Sequence, residues 1–178
     1  MDQDIEIKKL GPEPLGECLG DLADVLHATV QQGAAVSFLL PHGVQDSRAF
    51  WQWDVFPDVA RGNRVIWAAM VGARAVGTVQ LITRLPENQP HRCEVAKLLV
   101  HPEFRQLGLA RKLMHALENE ARVLGKHLIT LDTRTEDLAE PFYQKLGYQV
   151  AGVIPDFGLD ADRSGYHATT YMYKILSR

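Results

Sequence analysis

Residues 98–110 read Leu98-Leu99-Val100-His101-Pro102-Glu103-Phe104-Arg105-Gln106-Leu107-Gly108-Leu109-Ala110. An apolar strand ends at Pro102, a short loop follows, and a helix opens around Gly108. The first N–H groups of a helix have no partner within it and carry a partial positive charge, so such a turn suits an anion such as a pyrophosphate. Gly108 lets the backbone approach that anion without a side chain in the way, and the small Ala110 does the same one step on. Arg105, Arg111 and Lys112 add positive charge nearby. The same pattern also describes an ordinary strand–turn–helix connection in which Gly108 relieves a tight turn, and spacing alone does not separate the two. The chain contains neither Gly-x-x-x-x-Gly-Lys-Ser/Thr nor Gly-x-Gly-x-x-Gly, so the nucleoside-triphosphate and dinucleotide loops are set aside.

Outward from this stretch, Leu109, Leu113, Ala116, Leu117, Ala121 and Leu124 recur at helical spacing and predict a helix over 109–124, stopped by Gly125. Before the loop, a strand is expected over 92–100, preceded by the proline-rich loop 85–90 and by a hairpin of 64–70 and 75–83 that reverses at 71–74. Leu15, Leu19, Leu22, Ala23 and Leu26 form one apolar stripe of an N-terminal helical region, and a second helix is expected over about 46–59, ended by Gly62-Asn63. After the long helix come a strand at 127–132, a short helix at 138–146, and two last strands at 148–154 and 168–175, with a loop rich in Gly and Asp between them. The order predicts a single α/β domain over 1–178, with a mixed, mostly antiparallel sheet flanked by helices and a strand–helix–strand unit at its centre.

The 178 residues, 46% of them hydrophobic, suffice for one domain with a substantial core. A net charge of −3 argues against nucleic acid or an anionic membrane as the main partner, since both are met by a strong positive excess. The acidic start, Met1-Asp2-Gln3-Asp4-Ile5-Glu6, does not read as a signal peptide, and no apolar run nears the roughly 18 residues of a membrane span. Cys18 and Cys93 are far apart, and neither they nor the seven histidines show metal-ligand spacing. A cytoplasmic protein with two reduced thiols and no metal is the expectation.

Arg105-Gln106-Leu107-Gly108-Leu109-Ala110 resembles the Q/R-x-x-G-x-G/A signature of the GNAT superfamily of N-acetyltransferases. Leu98-x-Val100-x-Pro102 before it and Arg111-Lys112-Leu113-Met114 after it are similar too. Ala139-x-x-Phe142-Tyr143-x-Lys145-Leu146-Gly147-Tyr148 resembles the second block of that superfamily, in the expected order and separation. Within the superfamily, Glu94-Val95-x-Lys97-Leu98-x-Val100, Leu131-Asp132-Thr133, Ala139-Glu140-x-Phe142-Tyr143 and Gly33-Ala34-x-Val36-x-Phe38 look most like the tabtoxin-resistance acetyltransferases. Such a likeness reports ancestry before substrate.

The resemblance implies acetyl-CoA as co-substrate, with Arg105, Gln106, Leu107, Gly108, Leu109, Ala110 and Arg111 on its pyrophosphate and Leu98, Leu99 and Val100 along the pantetheine and acetyl group. A strand-edge N–H there is also suited to stabilise an oxyanion. The resemblance gives Tyr143 the part of general acid toward the departing thiolate; its bland alternative is a packed aromatic beside Phe142. Glu94 is the first candidate base. Strand alternation puts it on one face with Ala96, Leu98 and Val100, and the other reading is a strand-end carboxylate paired with Arg92. Asp132 is the second candidate, either as a base acting through water or as a grip on the substrate's ammonium, against a duty in capping the following turn. Glu136 stands where the superfamily often has Asn, and Leu107 where a second Arg is frequent, which weakens expectations of cofactor contacts outside the main loop.

The implied reaction is direct transfer of acetyl from acetyl-CoA to an amine of a small molecule, such as an amino-acid-like toxin or antibiotic. Alternatives are a protein N-terminal or lysine acetyltransferase and a non-catalytic acyl-CoA-binding domain. Neither nucleic acid nor membrane is expected as partner, and a homodimer is. For the acceptor pocket, the N-terminal helices and the 155–166 loop are the expected sources, with Phe38, Trp51, Trp53 and Tyr166 as lining and Asp156, Asp160 and Asp162 as attractors of a cation.

Overall fold

The computed structural model describes residues 5–177. Strand β1 (Ile5–Leu10) precedes the helices α1 (Pro12–Glu17), α2 (Leu19–Gln31) and α3 (Val44–Ala49). A π-helical turn, Phe50–Val55, joins α3 to α4 (Phe56–Ala60). Strands β2 (Arg64–Val71), β3 (Arg74–Ile82) and β4 (Arg92–Val100) follow, then a 3₁₀ turn (Pro102–Phe104) and the long helix α5 (Leu109–Val123). Strand β5 (Leu128–Arg134), helix α6 (Ala139–Lys145) and strands β6 (Gln149–Leu159) and β7 (Tyr166–Ile175) complete the chain. The seven strands form one sheet in the order β1-β2-β3-β4-β5-β7-β6, antiparallel throughout except for β4 with β5. That parallel pair requires a crossover, and α5 supplies it. Among the described residues no helix is long and apolar enough to cross a membrane.

The sheet is covered on both faces. On one, the apolar stripe of α5, formed by Leu109, Leu113, Met114, Leu117 and Ala121, buries against Val79, Leu81, Cys93, Val95, Ile129 and Leu131. On the other, Leu19, Leu22, Ala23, Leu26 and Val30 of α2 pack with Trp51 on Ile66, Ala68, Met70 and Leu99. Burial of this many aliphatic side chains, each worth about 1.5–3 kcal/mol, fixes both helical layers to the strands. The charged face of α5 is tied in as well: buried Glu118 accepts two 2.8 Å hydrogen bonds from Lys174 of β7.

The α/β architecture and the strand–helix–strand unit are as the sequence predicts, and the differences have physical causes. β1 is an edge strand of six residues whose brief alternation carries little signal. The first helical region is divided at Cys18, and the second is divided by the π turn before Pro57, which cannot donate into a helical ladder. Half of the expected 155–166 loop is strand: β6 runs to Leu159 and β7 begins at Tyr166, leaving 160–165 as the connection.

Strand β4 carries the local departure that shapes the site. Thr78 pairs with Leu99 and Gln80 with Ala96, so three steps on β4 oppose two on β3. The extra residue is a β-bulge, and Lys97 within it has φ +49°. Opposite the end of the bulge, β3 comes close enough that a Cβ on Gly77 would lie 3.0 Å from the Leu99 carbonyl oxygen. Gly77→Ala is therefore expected to cost roughly 1–3 kcal/mol in urea unfolding. Exposed Gly20 in α2 meets nothing within 4 Å, and Gly20→Ala should gain about 0.4–1 kcal/mol by restricting the unfolded chain.

Candidate active site

Strands β4 and β5 pair over three positions only, Arg92↔Leu128, Cys93↔Ile129 and Glu94↔Thr130. Beyond them the strands diverge, and among the described residues no strand lies against the β5-facing edge of β4. A cleft of about 890 Å³ opens there. Val95–Val100 line one wall, Asp132–Arg134 the other, and the N-terminus of α5, α6 and the 33–37 loop close its rim.

The loop before α5 is built to leave its amides free. Gln106 and Gly108 both have left-handed backbones, with φ +65° and +74°. Gly108 is the N-cap of α5 and offers no side-chain cap, and the first turn contains no acidic residue. A 15-residue helix thus points an uncapped, uncompensated positive end into the cleft. The Cβ of a residue at 108 would meet nothing in the protein within 4 Å, so glycine there answers to φ and leaves the approach to the amides clear. These are the properties a pyrophosphate requires. Arg105, Gln106, Gly108, Leu109, Ala110 and Arg111 line the cleft. Leu109 is 2% exposed, its side chain being core, so it presents only backbone. Leu107 is not among the lining residues and turns its side chain outward. The Arg105 guanidinium donates to Gln32 Oε1 of the segment after α2 at 2.8 Å, joining that segment to the loop.

The bulge corrects the expected alternation of β4. Leu98 and Val100 pack toward the α5 core, whereas Leu99 faces the α2 layer. Glu94, opposite in sense to core-facing Val95, therefore does not share a face with Leu98 and Val100. All three of Leu98, Leu99 and Val100 still line the cleft, as strand backbone. Glu94 lies outside the lining; Arg92 donates to its carboxylate and to Thr130 Oγ1, in the ion pair foreseen as its alternative.

Asp132 and Tyr143 both line the cleft. Asp132 lies on β5 two residues beyond its last pair with β4, still paired to β7, and is open to the cleft, yet protein surrounds enough of it to raise its pKa by desolvation; Lys97 opposes that shift and Glu94 adds to it. Tyr143 is 7% exposed on α6, beside Phe142, with its ring 5.7 Å from that of Tyr148. Burial, and then the charge of Asp132, push its pKa well above the ordinary phenol range, so it stays protonated at any physiological pH.

Lys97 went unassigned in the sequence, although it stood inside a recognised motif. The bulge turns it toward the 33–37 loop, where Nζ donates to the Val36 carbonyl at 2.9 Å and to Ser37 Oγ at 3.4 Å. Of the aromatics expected in an acceptor pocket, Phe38 lies under Lys97, with Nζ 5.5 Å from its ring centre. Trp51 is core, donating Nε1–H to the Leu22 carbonyl. Trp53 and Tyr166 are each 69% exposed and absent from the lining. Asp160 is engaged by Arg134 and His167, and Asp162 caps the Ser164 amide.

The sequence profile of the Acetyltransferase (GNAT) family matches residues 29–148. An uncharacterized N-acetyltransferase from the hisH–hisA intergenic region of Azospirillum brasilense is 27% identical over 141 residues, covering 78% of this chain and 80% of that protein. The L-amino acid N-acyltransferase MnaT of Escherichia coli K12 is 37% identical over 60 residues, about a third of each chain (33% and 35%). The structure of yncA from Salmonella typhimurium with its cofactor acetyl-CoA superposes with TM-score 0.77 at 19% identity, over 98% of this chain and 95% of that one.

A carboxyl whose pKa is raised on folding destabilises the fold when ionised. Below its unfolded pKa, near 3.8, both states hold the proton and nothing is lost; stability then falls as pH rises through the folded pKa. Asp132→Asn should therefore melt at or above the wild-type temperature at pH 7, with the difference vanishing below pH 3.8. Calorimetry across pH 3–8 reads this directly.

Proposed function

The chain belongs to the Acetyltransferase (GNAT) family and is an acetyl-CoA-dependent N-acetyltransferase, and we propose that it acetylates the amine of a small molecule by direct attack within the β4–β5 cleft. The reading takes all 178 residues as one catalytic domain. The observation that carries it is the conjunction of an uncapped helix end at one side of the cleft with Asp132 and Tyr143 along the same cleft.

Acetyl-CoA supplies a thioester, whose acyl carbon accepts the amine and whose sulfur departs as a thiolate. The amides of residues 106–111 hold the pyrophosphate, and the free edge of β4 at Leu98, Leu99 and Val100 pairs with the pantetheine and offers an N–H to the developing oxyanion. Asp132 takes the first proton from the acceptor's ammonium, directly or through water; its raised pKa makes it a better acceptor than an ordinary aspartate. Tyr143 delivers its proton to the leaving sulfur and regains one from the nitrogen as the amide forms. A free tyrosinate in this buried position is costly, so the two transfers are coupled. Glu94, held by Arg92, contributes to the field around Asp132. In this scheme Asp132 is the base and Glu94 is not.

For the acceptor we favour an amino-acid-like compound, toxin or antibiotic, on the likeness to the tabtoxin-resistance enzymes and to MnaT over a third of the chain. The buried free thiols of Cys18 and Cys93 suit a reducing, cytoplasmic setting. The expected homodimer would use edge strand β6, whose Val150, Val153, Ile154 and Phe157 are 44–52% exposed and whose outer edge meets no strand among the described residues.

Release of free thiol from acetyl-CoA in the presence of a panel of amines tests the reading. Tyr143→Phe should lower kcat by about 10²–10⁴ while coenzyme A binding is kept. Tight coenzyme A binding without turnover of any amine would identify a binding domain instead.

A further inference from the structure

Lys97 and Asp132 face the same cleft from opposite strands, and each lacks the partner that a charged group in such a place normally has. Among the described residues no carboxylate lies within 4.0 Å of the Lys97 ammonium and no cation within 4.0 Å of the Asp132 carboxylate. The ammonium is half-buried, and its recorded contacts are neutral: the Val36 carbonyl, Ser37 Oγ and the faces of Phe38 and Phe50, 5.5 and 5.8 Å from the ring centres. An ammonium has three donors, and these contacts use two of them. The two groups nonetheless feel one another's charge: burial lowers the Lys97 pKa, and Asp132 opposes that shift.

A desolvated charge without a counter-ion is expensive, and proteins retain one where a ligand completes it. The backbone here is bent to aim this lysine, because its φ of +49° is strained for any residue with a Cβ. The direction is informative too. Lys97 reaches the α2–α3 side, against the 36–38 segment, and not the helix end of α5 where a pyrophosphate would sit.

Building on the acetyltransferase reading, the geometry points to an acceptor that is a zwitterion: Asp132 receives its ammonium and Lys97 reads an anionic group, a carboxylate, close to that amine. Lys97 is then a specificity residue for acceptors of the α-amino-acid class, and its hold on the Val36–Ser37 segment seats the pocket wall around the charge it offers. The same ammonium repels cationic acceptors such as polyamines, which carry a second positive charge where the carboxylate belongs.

The test compares acceptors that differ only in this group. Thiol release is measured for the common L-amino acids, their carboxamides and the matching decarboxylated amines, with wild type, Lys97→Gln and Lys97→Arg. Wild type should favour the carboxylate form of its best acceptor by tenfold or more in kcat/KM. Lys97→Gln should abolish that preference mainly through the acceptor KM, leaving the KM for acetyl-CoA within about twofold, and Lys97→Arg should restore part of it. Equal wild-type rates for carboxylate and carboxamide would overturn the inference. So would a loss in Lys97→Gln that is the same for both forms, the mark of a lysine that only holds the loop. Failure of wild type to acetylate any amine would instead bring down the acetyltransferase reading, and this inference with it.

Discussion

Three backbone pairings hold β4 to β5, and the molecule depends on their stopping there. If the parallel ladder continued past Glu94↔Thr130, the sheet would be seamless and α5 would begin above a closed surface. Because it stops, a row of β4 amides and carbonyls faces a cleft where, among the described residues, no strand lies against it, and the uncapped start of α5 stands at its mouth. The bulge at Lys97 is the local device that coincides with this divergence, since an extra residue bends a strand and breaks its ladder. Its cost falls on a lysine in a left-handed conformation and on Gly77, where the opposing strand approaches too closely for a side chain.

The electrostatics of the cleft run against stability in the same way. A capped helix with acids in its first turn would be more stable than α5, and an asparagine would be more comfortable than Asp132. These are departures a fold tolerates where the missing partner is brought by a ligand. Two large apolar layers underwrite them: the α5 stripe on one face of the sheet and the α2–Trp51 cluster on the other. The site thus sits between rigid elements, and it includes residues that are strained, Lys97 and Gln106, or that lack a charged partner among the described residues, Lys97 and Asp132.

What was legible in the sequence follows from this division. The α5 stripe, the hairpin of β2 and β3 and the strand–loop–helix around Gly108 all rest on periodicity and turn chemistry, which act locally and so leave a local trace. The bulge leaves none, because nothing in Ala96-Lys97-Leu98 marks a residue that will adopt positive φ. An alternation rule applied through it puts Leu98 and Val100 on the wrong face relative to Glu94. The Arg92–Glu94 pair was visible as an alternative and not as an outcome, since i,i+2 neighbours on a strand are always candidates for pairing. Lys97 escaped assignment for a related reason: its meaning comes from Val36, Phe38 and Asp132, which are distant in sequence and meet only in the folded chain. The 155–159 segment looked like loop because it contains Pro and Gly, and a solvent-facing edge strand tolerates both.

The central claim is that main-chain donors between β4 and α5 bind a diphosphate while the free edge of β4 binds the arm attached to it. Amide hydrogen exchange, resolved by residue and measured with and without coenzyme A, reads those donors themselves. Slowed exchange confined to the amides of residues 106–111 and to the cleft edge of β4 at 98–100 is the predicted result. Unchanged exchange at these amides under saturating coenzyme A, or protection appearing only elsewhere in the chain, would contradict it.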